Sequence, residues 1–204
     1  MNFLNHLRPW THNDAMLRRV LALSLLCALL TPRPARSTTV IPQTFDSLIS
    51  KAGTIFVGEV IDVRSAWMAT PQGRAIKTGV VFKVEDVWKG SVGAVTQLEF
   101  LGGTIGGTTM EVVGMPVFRN GQRSILFVTG EPGVSPLVGL FQGRMRIEKD
   151  PYGIDRVRTH DGRSVGSLAE IGARQLRGFD AVTPMRLADV ASAVRSRIGT
   201  GRPQ

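Results

Sequence analysis

The run Gly102-Gly103-Thr104-Ile105-Gly106-Gly107 packs four glycines into six residues. Such a run has two chemical uses. Its amides can cradle an anion, and its bare backbone lets a partner main chain approach closely. The Gly-Lys-Ser/Thr ending of a phosphate loop is missing, and no long helical pattern follows to offer an N-terminus. The run is therefore expected to be an exposed, mobile loop between strands that serves a partner. Its flanks, Phe100–Leu101 and Met110–Val113, are expected to be anchored in a sheet.

Other chemistry is sparse. Glu59, Glu85, Asp86, Glu99 and Glu111 fall on separate predicted strands, so hydrolysis by paired carboxylates depends on the fold bringing two of them together. His160, beside the Asp161-Gly162 turn, is the only histidine after residue 37, and a Ser/His/acid set would have to use it. A solvated turn histidine is the plainer reading. Cys27 is the only cysteine and lies in an apolar leader. The remaining chain thus has no disulfide, no thiolate ligand and no histidine cluster for zinc or copper. Trp67, Trp88 and Phe118 can line a groove or fill a core. No catalytic residue, metal ligand or cofactor is assigned.

The elements that must position these residues begin after residue 37. Val20 to Leu30 is an unbroken apolar run behind Arg18-Arg19 and ahead of Pro32 and Ala35-Arg36-Ser37. It is shorter than the ~20 residues needed to span a bilayer. The three-part pattern predicts a signal peptide over 1–37, cleaved after Ser37. Met16, directly ahead of Leu17-Arg18-Arg19, is a more ordinary start for such a leader than Met1. The leader carries five arginines against Asp14, which is +4 of the formal net charge of +9. The rest is mildly basic, with acids interspersed and no basic stripe, which argues against nucleic-acid binding.

Thr44 caps a predicted short helix, Phe45 to Ala52, stopped at Gly53. Thr54 to Val63 alternates with period two, placing Ile55, Val57, Glu59, Ile61 and Val63 opposite Phe56, Gly58, Val60 and Asp62. Residues 69–74, with Pro71 and Gly73, are expected to form a loop. Val80, Phe82 and Val84 alternate within a second strand, Ile76 to Trp88. That period slips at Val87-Trp88, as a bulge requires. In a third strand, Val95 to Leu101, Val95, Gln97, Glu99 and Leu101 oppose Thr96, Leu98 and Phe100. Further strands are expected at Met110–Val113, Gln122–Thr129, Leu137–Glu148 and Ile154–Thr159, the last two joined by a turn over Lys149–Gly153.

Beyond Gly162 the pattern becomes helical. Leu168, Ile171, Leu176 and Phe179 suggest one weak helix. Thr183-Pro184 reads as the cap of another whose stripe is Leu187, Val190, Ala191, Val194 and Ile198. The expected fold is mainly β: a small antiparallel, OB-like barrel with a short N-terminal helix and one or two C-terminal helices. Its divisions are 1–37 signal peptide, 38–162 β-barrel domain, 163–199 helical segment and 200–204 tail.

The segments IFVGEVIDV, VVFKVEDVWKG and VTQLEF, from Ile55 to Phe100, resemble the opening strands of netrin-like domains. Those are the OB-fold barrels that include the tissue inhibitors of metalloproteinases. The inhibitors place an N-terminal Cys-x-Cys on the protease zinc; here the expected mature start is Thr38-Thr39-Val40, without cysteine. The stretch FLGGTIGGTTMEVVGMPVFRNGQRSILFV resembles that of exported bacterial proteins. Together these features imply an exported, non-enzymatic β-barrel module, periplasmic or extracellular, that binds a protein or peptide such as an extracytoplasmic protease. The mature chain is expected to hold no transmembrane segment. The alternatives are an envelope hydrolase using carboxylates and an envelope protein that self-associates through an edge strand.

Overall fold

A computed structural model of the chain describes residues 41–71, 73–131, 133–172 and 182–200. The leader, with Met16 and Cys27, lies outside the described residues, as does most of the weak helix predicted from Leu168 to Phe179. A single 3-10 turn covers Leu168–Glu170.

The fold is mainly β. A six-stranded antiparallel sheet has the order β3-β2-β1-β6-β7-β8. Its strands are β1 (Thr54–Thr70), β2 (Gly73–Lys89), β3 (Val95–Leu101), β6 (Arg123–Val128), β7 (Arg144–Lys149) and β8 (Asp155–Thr159). β4 (Gly103–Ile105) and β5 (Thr108–Met110) form a separate small hairpin. Helices α1 (Phe45–Lys51) and α2 (Leu187–Thr200) flank the strands in sequence. Among the described residues no helix is long and apolar enough to cross a membrane.

Alternation on the strands sends side chains to two cores. Ile55, Val57, Ile125, Phe127, Met145, Ile147 and Val157 pack with α1 and α2 through Leu48, Ile49, Val190 and Val194. Phe56, Val60, Val80, Phe82, Phe100 and Leu126 form the other core with Phe118 and Leu137. Every residue from Ser124 to Phe127 is therefore buried. The α1 cap is as expected: the Thr44 hydroxyl accepts from the Ser47 amide at 3.2 Å. At its far end Lys89 Nζ donates to the Ile49 carbonyl at 2.7 Å, a cation on an orphan helix carbonyl.

The slip at Val87-Trp88 is a bulge. Ile55 pairs with Lys89 and Phe56 with Val87, so Trp88 drops out of the ladder and packs among the helices instead. A further shift falls between Val57 and Gly58, and a third skips Ile61 between Val60 and Asp62. It leaves Ile61 exposed and returns Val63 to the same core as Val60. Simple alternation placed Val63 with Ile55 and Val57, so the bulge corrects that assignment.

Several boundaries differ from expectation. The strand expected over Leu137–Glu148 begins only at Arg144, because the chain turns at Gly139 and Leu140, both at positive φ (+63° and +65°). The loop foreseen over 69–74 is much shorter, because β1 and β2 pair out to Thr70 and Gly73. They make a long arm on which Arg74 lies over Trp67 at 4.6 Å. Residues 111–113 are not a strand, since β5 ends at Met110. The last helix starts at Leu187 rather than Pro184. Met185 is drawn instead into main-chain pairing, its N–H bonded to the Val165 carbonyl (2.8 Å) and its carbonyl to the Val157 N–H (2.9 Å).

The strand ladder does not close: its end strands are β3 and β8. Near one end of β3 the chain nonetheless meets itself. The Leu101 N–H donates to the Val134 carbonyl at 3.2 Å. A few residues on, Thr129 donates to Pro136 at 2.8 Å and Val138 to Phe127 at 3.0 Å. Segment 134–138 therefore touches both β3 and the end of β6, and Leu137 joins the phenylalanine core.

Candidate functional site

The glycine run is a hairpin, not the loose loop expected from its composition. Gly106 and Gly107 have φ of +55° and +82°. Two successive positive φ values are what a two-residue type I′ turn needs between twisted strands. Thr104 and Thr109 face each other across the hairpin, their hydroxyls 3.0 Å apart.

The root of the hairpin is built into the fold. Gly102 is buried; its N–H donates to the Ile76 carbonyl, and its carbonyl accepts from the Thr78 hydroxyl, each at 2.7 Å. At Gly103 φ is +138°, and a Cβ there would stand 2.3 Å from Thr78 Oγ1 and 2.5 Å from Ser65 Oγ. Only glycine fits that approach. The tip is the opposite: Thr104, Gly106 and Gly107 are exposed, Ile105 is half-buried, and nothing stands within 4 Å of a Cβ at Gly106 or Gly107.

Beside this root opens a cleft of about 450 Å³. Val63, Ser65 and Thr78 of the arm form one wall, Phe100 to Gly103 another, and Met110 to Phe118 the third. Phe118 seals its inner end. Its ring meets Phe82 edge-on at 5.4 Å and Phe100 at 5.0 Å. Two valines of the third wall's segment point into solvent, Val113 at 84% and Val117 at 73% exposure.

Arg144 pins this wall from below and carried no signal in the sequence. Its guanidinium is buried, donating to the Val117 carbonyl (2.7 Å), Gln122 Oε1 (2.9 Å) and Ser124 Oγ (3.2 Å). It also lies 4.1 Å from the Phe118 ring centroid. Burial lowers its pKa to about 10, so it remains cationic at neutral pH. These contacts tie Val117 and Gln122 to the start of β6 at Ser124.

The carboxylates do not gather around the cleft. Glu85 and Asp155 converge on Arg123 at 2.6 and 2.8 Å. Burial opposes ionisation of Asp155, but bonds from Arg123 and Lys149 outweigh it and hold the carboxyl below its usual range. Glu99 pairs with Lys77 at 3.0 Å, and Asp86 with Arg195 at 2.7 Å. Glu59 lies opposite Lys83 in the ladder, and Glu111 is exposed on the cleft wall. Among the described residues no cluster of three potential metal ligands occurs.

His160 is half-buried rather than solvated. Its ring stacks on Phe141 with centroids 4.1 Å apart. Burial pushes its pKa down despite the neighbouring Asp161 carboxylate. Asp161 itself accepts from the Thr159 hydroxyl and from Arg163 Nε. Among the described residues no hydroxyl is bonded to the His160 ring. The three candidate groove aromatics are separated: Trp67 on the arm, Trp88 among the helices, Phe118 under the cleft. No protein-family model, curated protein or solved structure matches this chain.

Proposed function

We propose that this chain is an exported module that binds a protein or peptide partner at the cleft beside the glycine hairpin. The observation carrying the reading is the cleft's build: largely apolar walls, a rigid root at Gly102–Gly103, a projecting tip at Gly106–Gly107 and the exposed Val117 in its wall. Largely apolar, preformed concavities with few polar groups are the usual form of recognition sites. A glycine tip adds close main-chain approach.

In this reading the leader 1–37 is removed on export, and the protein acts in the periplasm or outside the cell. The ladder β1-β2-β3 with β6, linked through segment 134–138, is an OB-like barrel joined at one end only, and the cleft is its mouth. An extracytoplasmic protease is one partner the netrin-like run brings forward. No cofactor is required.

The test is site-specific cross-linking. A photo-reactive residue at Thr104 in the full chain, illuminated in the producing cell, is expected to give a recurring protein adduct in the envelope or culture fluid. Val117→Glu, at an exposed position, is expected to abolish that adduct. Absence of a recurring adduct, or one indifferent to Val117→Glu, would overturn the reading.

A further inference from the structure

The free edge of β3 carries its own recognition chemistry. In the β2–β3 ladder the Val84 N–H donates to Ala94, and the Gly102 N–H donates to Ile76. Antiparallel pairing alternates, so Thr96, Leu98 and Phe100 also turn their main-chain groups toward β2. Val95, Gln97, Glu99 and Leu101 turn theirs away. Among the described residues only Leu101 of these four finds a main-chain partner, Val134 at 3.2 Å. That bond begins a strand position which the described residues do not continue.

We infer that the β3 edge from Val95 to Glu99 accepts an extended segment of a partner protein as an added strand, with apolar residues at every second position. Outward N–H and C=O groups at alternate residues match the main chain of a strand and no compact ligand. The inner face decides the side-chain pattern. Thr96, half-buried Leu98 and buried Phe100 share it, and Leu98 and Phe100 belong to the phenylalanine core. Alternate residues of an incoming strand would extend that apolar surface. The others would lie beside exposed Val95, Gln97 and Glu99.

β3 has no proline, no lysine and no bulge, and its one charge, Glu99, is paired with Lys77 at 3.0 Å. A second copy of the chain fits less well. Antiparallel self-pairing about Gln97 would set Leu101, already held by Val134, against Gly93 of the other copy. A short extended segment meets no such obstacle.

This inference rests on the partner-binding reading but can fail separately. The probe is a fluorescein-labelled peptide, Lys-Val-Thr-Val-Thr-Val-Lys, titrated into the full mature chain. Its control has the same side chains with alternate backbone amides N-methylated along one edge. The unmodified peptide should bind by anisotropy at least tenfold more tightly than the control. It should shift the backbone amide resonances of Val95, Gln97 and Glu99 while leaving Val157 unmoved. Gln97→Pro removes an outward donor without touching the β2 ladder and should abolish binding. Should that variant unfold, resonance mapping on the unaltered protein still decides.

No binding up to about 1 mM, equal binding of the methylated control, or shifts confined to other strands would overturn the inference. The same amide shifts produced by raising protein concentration alone would overturn it in favour of self-pairing. Thr104 adducts without β3 binding would leave the cleft reading standing. β3 binding without Thr104 adducts would remove the cleft reading instead.

Discussion

The two edges of the main sheet are treated differently by the same chain. On β8 the outward N–H of Val157 is bonded to Met185 and that of Thr159 to Arg163, each at 2.9 Å. Isolated bridges Arg156–Arg186 and Arg158–Ser164 lie between them. The segment that covers this edge also pulls Met185 out of the helix predicted to begin at Pro184. On β3, among the described residues, only the last outward amide, that of Leu101, is covered. An uncovered edge invites pairing, and among the described residues one edge of the sheet is covered while the other is bare. The cleft lies at the end of β3 where the covering begins.

If the open edge were simply a weak part of the fold, core substitutions on its side would cost little. Phe82 sits behind β3 and Phe127 faces the helices; both are fully buried. Phe82→Ala and Phe127→Ala are each expected to cost about 3–5 kcal/mol in denaturant unfolding. A cost below about 1 kcal/mol for Phe82→Ala alone would make the open side a soft region rather than a prepared one.

The glycine hairpin should divide in the same way. Gly103→Ala forces a Cβ onto Thr78 and Ser65 at positive φ and is expected to cost about 2 kcal/mol of stability. Gly106→Ala meets open space at φ +55° and should cost about 1 kcal/mol. Thermal unfolding of the pair checks the order, which reverses if the tip rather than the root is structural.

The covered edge carries a titrating group of its own. Burial holds His160, one residue past β8, below its ordinary pKa. As pH falls below about 6.5, the unfolded chain takes up that proton before the folded one. The stability contribution is therefore complete above this pH and lost as pH drops toward the folded value. His160→Phe, which keeps a ring against Phe141, should flatten the stability profile below about pH 6.5. An unchanged profile would place that acid sensitivity elsewhere. The smallest effect is expected at the bare edge. Val95 is 58% exposed, so Val95→Ala should change stability by less than about 0.5 kcal/mol.

Much of the β architecture was legible because it rests on local periodicity. The strands around Val57 and Phe82 follow from alternation, that around Phe127 from an unbroken apolar run, the α1 cap from Thr44, and the β2 bulge from the adjacent Val87 and Trp88. The glycine run misled because composition alone cannot distinguish a loose loop from a hairpin. Pairing of Gly103 with Met110, together with positive φ at Gly106 and Gly107, decided that. The role of Arg144 was invisible, since its acceptors at Val117, Gln122 and Ser124 are distant in sequence. The open edge was half legible. Its alternating side chains were plain, but which amides face outward depends on register with β2, and whether they are covered depends on Val134.

Amide hydrogen exchange on the free protein tests the contrast between the edges most directly. Val157 and Thr159 should exchange slowly, as should Thr96, Leu98 and Phe100, while Val95, Gln97 and Glu99 exchange rapidly, giving alternating protection along β3 and continuous protection along β8. Uniform protection along β3 would mean that the edge is already covered, and would contradict the account.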